Sequence, residues 1–226
     1  MKFLNSVNAT VGVTVNGDAV VPLKGLLPQE LVDFVKKLYS FSVVPTFPPQ
    51  VAFQGGMPLI FQAGQYIVGN DTKKIIQIAA VQNGDMVTGV NSDEAEIITR
   101  HYVEQLNVGL GFRYDLSNLN LSYVSNVVVQ FDILKERGSI LSKVEQFIES
   151  AIKSPSRKFR LKRLSFGDGD LIPVMPVDVD QFNKIDFAIE QRTKTHPQEF
   201  IFFSAAPMKT AAHLEALEKI EHLLAR

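Results

Sequence analysis

The most constraining feature of this sequence is a long segment without charge. From Leu38 to Asn70 the chain carries no Asp, Glu, Lys or Arg. Prolines and glycines interrupt the segment at positions 45, 48, 49, 55, 56, 58, 64 and 69. They exclude the unbroken apolar helix of about 20 residues that a membrane span requires. The segment is therefore predicted to be core joined to a proline-rich loop, which we favour, or a surface kept free of charge for a partner.

If the charge-free segment is a surface, its aromatic residues are the expected contacts. Protein interfaces are depleted in charge at their centre and enriched in aromatic side chains. Phe47 and Phe53 lie within the segment and are the predicted binding residues. Because most soluble oligomers are built from identical chains, the predicted partner is a second copy, which makes the protein a homo-oligomer.

Strand-like and helix-like patterns alternate along the chain. Runs rich in β-branched residues, several of them next to Asn-Gly, Gly-Asn or Gly-Asp turns, predict strands. These runs span residues 10–15, 19–23, 59–68, 74–81, 86–90, 119–134, 158–166, 185–191 and 199–204. Apolar residues spaced three and four apart predict helices at 28–39, 92–106 and 139–152 and from residue 210 onward. The predicted fold is α+β, mainly antiparallel, with about four helices packed on one face of the sheet.

The domain organisation has two readings. With 226 residues, the chain is long enough for one large domain or two small ones. A single α+β domain over residues 1–226 is the prediction. Each half also reads as strand, strand, helix, several strands and helix, so two similar ββα-βββ-α halves, 1–107 and 108–226, are the alternative.

Composition excludes several classes of chemistry. The chain has no cysteine, which excludes thiol nucleophiles and zinc sites built from thiolates. Its formal net charge of −1 gives no general attraction to nucleic acid or anionic membranes. The first residues lack the apolar stretch of a secretory signal, so the predicted location is the cytoplasm. No Rossmann, P-loop, zincin or nucleophile-elbow motif occurs, and no cofactor is predicted.

An aspartate-rich loop is the predicted metal candidate. Asp168 and Asp170 alternate with glycines, and two carboxylates on such a loop can turn towards one hard cation. His196, in a polar linker, is the candidate general base that would complete a metal-assisted hydrolase. An ordinary turn uses the same residues, and the turn is the favoured reading. The other histidines are expected to have surface roles, and Ser204, at a predicted strand end, lacks the glycines of a nucleophile elbow.

A basic segment is the predicted site for an anionic partner. Lys158, Arg160 and Lys162 alternate with apolar residues and would share one face of a strand. Such a ribbon can contact phosphates or an acidic protein, whereas the favoured reading is an exposed strand protected by its charges from pairing with other sheets. No aromatic and glycine signature of an RNA-binding sheet accompanies it.

The function predicted from these features is that of a non-enzymatic binding or assembly protein. It would associate with itself through the charge-poor surface. One alternative is a metal-assisted hydrolase that uses the aspartate loop. The other is a nucleic-acid-binding protein that uses the basic strand.

Overall fold

The described strands form one antiparallel sheet. The computed structural model describes residues 1–14, 28–46, 58–81, 84–133, 163–166, 186–192 and 199–225. In this part of the chain, eight strands pair in the order β2-β3-β4-β1-β5-β8-β7-β6. Their bounds are β1 Lys2–Thr14, β2 Leu59–Val68, β3 Asp71–Val81, β4 Gly84–Gly89, β5 Leu121–Gln130, β6 Arg163–Phe166, β7 Phe187–Gln191 and β8 Ile201–Ala206.

Three helices lie within the described residues, and they pack on the same face of the sheet. They are α1 Pro28–Tyr39, α2 Ser92–Leu110 and α3 Thr210–Leu224. Side chains of α1 and α2 share one core with β2, β3 and β4, while α3 packs on a second core formed by β5, β7 and β8. Tyr123 of β5 contacts both α2 and the residue preceding α3. This confirms the α+β class and the antiparallel sheet; the helix predicted at 139–152 lies outside the described residues.

Local signals explain where α2 begins and ends. The Asn91 side chain accepts a hydrogen bond from the Glu94 amide at 2.9 Å, and Glu94 in turn accepts one from the Asn91 side chain. The first bond satisfies one of the backbone amides that a helix start leaves free, and the second holds the two side chains together. At the other end Gly111 adopts a left-handed conformation, with φ of 75°, as is typical of the residue after a helix. The helix predicted at 92–106 begins at the predicted residue and extends four residues beyond the predicted end.

The first strand of each half, β1 or β5, lies at the centre of the sheet. β1 pairs with β4 on one side and with β5 on the other, and β2 and β6 are the two outermost strands. The order therefore mirrors around the β1–β5 pair. Whether residues 1–107 and 108–226 are repeats stays a prediction, because much of the segment between β5 and β6 lies outside the described residues.

The charge-free segment divides between core and surface. Of its described aromatic residues, Tyr39, Phe41 and Phe61 are buried and Tyr66 is partly buried, which agrees with the favoured prediction of core. Ile67 and Val68, at the end of β2, are instead 68% and 43% exposed. Residues 47–57 lie outside the described part, so neither Phe47 nor Phe53 is tested. The described part of the segment is thus core on one side and surface on the other.

Candidate functional site

The outer edge of β2 is the candidate interaction site. β2 is the last strand at its end of the sheet, and its ten residues include no charged side chain. A strand in this position presents unpaired backbone groups, and natural proteins usually protect such edges with charges, prolines or short strands. β2 has neither charge nor proline and is long. Its edge is therefore unusually open to pairing with another strand.

One part of this edge is already occupied. Val43 and Gln62 exchange two backbone hydrogen bonds of 3.2 and 2.9 Å, and the Ser42 amide donates to the Ala63 carbonyl at 3.2 Å. The Phe41 ring packs directly on Gly64, where an added Cβ would lie 2.4 Å from it. Among the described residues no other segment pairs with the outer side of β2. Within the described ranges, the unpaired part of this edge is therefore the five-residue stretch from Gly64 to Val68, which we call the open edge.

The backbone orientation changes at Ala63. Ala63 has a left-handed φ of 54°, which L-residues adopt at a conformational cost. Phe61 before it lies in the core, and Tyr66 after it also lies on the helix-covered face, although side chains five residues apart in a regular strand occupy opposite faces. The alternation is therefore reset by one residue between Phe61 and Tyr66.

The reset determines which backbone groups of the open edge point outward. In a strand of L-residues, the backbone N–H and C=O of each residue point to one edge of the strand. The face on which its side chain lies determines which edge that is. Gln62 bonds to Val43 with both backbone groups, so they point outward, and its side chain lies opposite that of Phe61. After the reset, Gln65 and Ile67 have the same orientation as Gln62. Their N–H and C=O groups point away from β3 towards the open edge.

An aromatic cluster holds this part of β2 against α2. Tyr66 stacks on the His101 ring with 4.3 Å between centroids, and the hydroxyl of Tyr39 lies 2.8 Å from Nδ1 of His101. Burial lowers the pKa of His101, and the nearby Glu104 opposes this effect. Burial also raises the pKa of Tyr39, so its hydroxyl remains protonated near neutral pH. The neutral rings fix the strand without placing charge at the open edge.

A second histidine is fully buried between β5, β8 and α3. His213 Nδ1 lies 2.8 Å from the Ser125 hydroxyl, and Nε2 lies 2.9 Å from that of Ser204. Ser204 also donates to the carbonyl of Ala188 at 2.7 Å, so its single proton is used there and it accepts from Nε2–H. Ser125 then donates to Nδ1. Burial lowers the pKa of His213 to about 4, and the prediction of a surface role for this histidine was wrong.

This Ser-His-Ser cluster has no access for a substrate. All three residues are completely buried, and the Ser204 hydroxyl proton is directed at a carbonyl rather than at the imidazole. Ser125 does direct its proton at the imidazole, as a serine nucleophile would, but with all three side chains buried no substrate can reach it. We therefore assign the cluster a structural role, in which α3 is joined to two strands.

A buried carboxylate lies under α2. Asp85 of β4 accepts hydrogen bonds from the hydroxyls of Tyr114 and Tyr102, the latter at 3.3 Å. Burial raises the pKa of Asp85 to about 6, although both hydrogen bonds act in the opposite direction. Both carboxylate oxygens of Asp85 are thus hydrogen-bonded to tyrosine hydroxyls of the protein. It leaves no free oxygen directed at a cavity and serves packing.

A charged cluster connects α2 to α3 at the surface of the same face. Glu96 accepts from Lys209 at 2.7 Å, from Tyr123 at 2.8 Å and from Arg100 at 2.8 Å. Partial burial would raise the pKa of Glu96, but these hydrogen bonds outweigh it and lower the pKa to about 2. Next to it, Thr210 and Ser92 each donate a backbone amide to the other's hydroxyl. These contacts attach the starts of the two helices to each other.

The site residues predicted from sequence all fall outside the described part of the chain. This group comprises Phe47, Phe53, Lys158, Arg160, Lys162, Asp168, Asp170 and His196. The open edge was missed as a site, although its lack of charge was the visible signal. Within the described ranges, no group of three or more His, Asp or Glu residues is placed to hold a metal ion.

Comparison with known proteins gives no family. No protein-family model matches the sequence, and no curated protein matches it. Among the described helices, none combines the length and the apolar character needed to cross a membrane.

Proposed function

We propose that this protein is a non-enzymatic assembly protein whose copies associate through the open edge of β2. The observation that supports the proposal is a long, uncharged edge strand with exposed Ile67 and Val68. Pairing with another strand would satisfy the outward N–H and C=O groups of Gln65 and Ile67 and cover the exposed aliphatic side chains. Strand addition of this kind is a common mode of protein association.

The two ends of the sheet support this choice of surface. β6, the outermost strand at the other end, has four described residues and begins with Arg163. A charge on an edge strand protects it from pairing, and β2 has no such charge. If the chain associates through a sheet edge, β2 is therefore the favoured one.

Other elements of the proposal rest on the sequence. We place the assembly in the cytoplasm, because the chain carries no cysteine and proteins of reducing compartments do without disulfides. The mirrored strand order is also what a duplication of halves 1–107 and 108–226 would produce. Hydrolase and nucleic-acid-binding functions rest on residues outside the described ranges, and no described contact favours either.

Replacement of Ile67 by lysine is expected to convert the protein from a dimer to a monomer. The substitution places a charge in the middle of the open edge, and under two-fold symmetry it places two lysines in one contact, where they must be desolvated and repel each other. We expect the dissociation constant to rise at least 10-fold, as measured by light scattering and native mass across a range of protein concentrations.

Val108 offers a matched control. It lies on α2, is 79% exposed and is also aliphatic, so Val108→Lys adds the same charge away from the edge. This variant should dimerise like the wild type, and both variants should unfold at temperatures close to that of the wild type. A wild type that stays monomeric at high concentration, or equal dissociation of the two variants, would contradict the proposed function.

A further inference from the structure

The geometry of the open edge also defines how two copies would fit together. Resting on the proposed function, we infer that β2 of one copy pairs antiparallel with β2 of a second copy about a two-fold axis beside Tyr66. Each half of the contact is then identical, as in most dimers of one chain. The two sheets become one continuous sheet.

The two-fold symmetry determines the direction of the second strand and the side of the joined sheet on which its helices lie. A two-fold axis perpendicular to the sheet reverses the strand direction and keeps each face on its own side. The second strand is therefore antiparallel to the first, and the described helices of both copies lie on the same side of the joined sheet. The opposite face, on which the Gln65 and Ile67 side chains lie, is likewise continuous across the contact.

The length of the open edge determines the register. Ser42 and Val43 occupy the edge at Gln62 and Ala63, and the turn at residues 69–70 ends β2 after Val68. The stretches 64–68 of the two copies lie fully side by side only when the two-fold axis passes beside Tyr66, the midpoint of the stretch. Gln65 of one copy then lies opposite Ile67 of the second copy, and the reverse pair forms by symmetry.

The backbone orientation agrees with this register. Antiparallel partners exchange two hydrogen bonds only when the backbone groups of both residues point towards each other. Gln65 and Ile67 are the two residues of the open edge with outward groups, and this register pairs them with each other twice. Four backbone hydrogen bonds form in this register. If the register shifts by two residues, Gln65 or Ile67 pairs with its own symmetry mate, and the other residue has no partner within the open edge.

The side chains agree as well. A two-fold contact brings a charge near its own symmetry mate when it lies close to the axis, and the open edge contains no charge. The nearest charges belong to the neighbouring strand β3, where Lys73 forms an ion pair of 3.0 Å with Asp71 and Lys74 lies opposite Gln65. All three are one strand removed from the contact. Repulsion between copies is therefore small, which favours a second copy over a charged partner.

Disulfide trapping tests the register, and the natural chain has no cysteine to interfere. In the inferred pairing, residues 65 and 67 of different copies have Cα atoms about 5.5 Å apart, within the range of a disulfide. Residues 65 and 65, or 67 and 67, are diagonal neighbours at about 7–8 Å. A mixture of Gln65→Cys and Ile67→Cys proteins should thus form covalent dimers at least 5-fold faster under mild oxidation than either protein alone.

A proline variant gives an independent readout. The Ile67 amide points outward and takes no part in pairing with β3, so Ile67→Pro should leave the thermal unfolding temperature of the monomer nearly unchanged and abolish dimerisation. Val108→Cys serves as the trapping control and should form no rapid dimer. If the wild type dimerises but the mixture traps no faster than the single variants, the register is overturned and the proposed function stands. A monomeric wild type overturns both.

Discussion

When the pH falls from 7 to 4, the free energy of unfolding of the wild type is expected to decrease by about 3 kcal/mol more than that of the His213→Gln variant. The pKa of His213 is about 4 in the folded protein, against 6.5 for an unperturbed histidine. The folded state therefore binds the proton less readily than the unfolded state. Its contribution is fully present above pH 6.5 and is lost as the pH falls to 4, at about 1.4 kcal/mol for each pKa unit.

Urea unfolding at several pH values measures this difference. His213→Gln keeps a polar side chain between the two serines but has no group that titrates in this range, although it lowers stability at neutral pH because the packing changes. The control is His222→Gln, which changes an exposed histidine of the same helix and should keep the pH dependence of the wild type. Parallel stability curves for wild type and His213→Gln would show that His213 is not held neutral by burial.

The opposite dependence is expected for Asp85. Its pKa is about 6 in the folded protein, against an ordinary value of 3.8, so the folded state holds this proton more tightly than the unfolded state. Its stabilising contribution is fully present below pH 3.8 and is lost as the pH rises through 6. Relative to Asp85→Asn, which never ionises, the wild type should lose about 3 kcal/mol over this interval.

The same unfolding series tests Asp85→Asn. The free energy of unfolding of the variant minus that of the wild type should increase from pH 4 to pH 7, whatever its starting value. Asp115→Asn is a suitable control, because Asp115 is exposed and the pKa of its carboxyl is lowered by hydrogen bonds from Ser117. A difference independent of pH would mean that Asp85 ionises in the folded protein as easily as in the unfolded chain.

The two buried groups act against each other between pH 4 and 6. In this interval protonation of His213 lowers stability as the pH falls, while ionisation of Asp85 lowers it as the pH rises. Their slopes have similar size and opposite sign, so they nearly cancel in the wild type. Each single variant should expose the slope of the remaining group, and the double variant should remove both.

The elements of the fold could be predicted from local patterns, but the buried polar residues could not. Hydrophobic spacing predicts a helix from residue 210 onward, and α3 begins at Thr210. In the structure, Leu217 is buried between His213 and Glu221, one turn to either side, and Leu223 is largely exposed. The amphipathic spacing of a helix assigns its polar residues to the exposed face. It cannot show that two serines, 88 and 9 residues away from His213 in sequence, supply its hydrogen bonds.

Local sequence patterns could not predict the order of the strands in the sheet either. Local patterns predict strands at 59–68 and 74–81 on either side of a Gly-Asn turn, and β2 and β3 do pair there as a hairpin. The position of β2 at the end of the sheet depends on the pairing of β1 with both β4 and β5, which are distant in sequence. The charge-free segment could therefore be recognised as unusual, while its division into core and open edge depends on that long-range pairing and on the reset at Ala63.

The central position of β1 has a consequence for synthesis of the chain. A ribosome makes β1 first among the described strands, yet its two neighbours in the sheet are completed only at about residues 89 and 130. Until then the apolar side chains of β1, such as Val11 and Val13, have no sheet in which to be buried. Long-range pairing of this kind is slow, and a nascent chain with an unpaired central strand is prone to aggregation. The strand that holds the finished sheet together is thus the one most dependent on protection while the chain is being made.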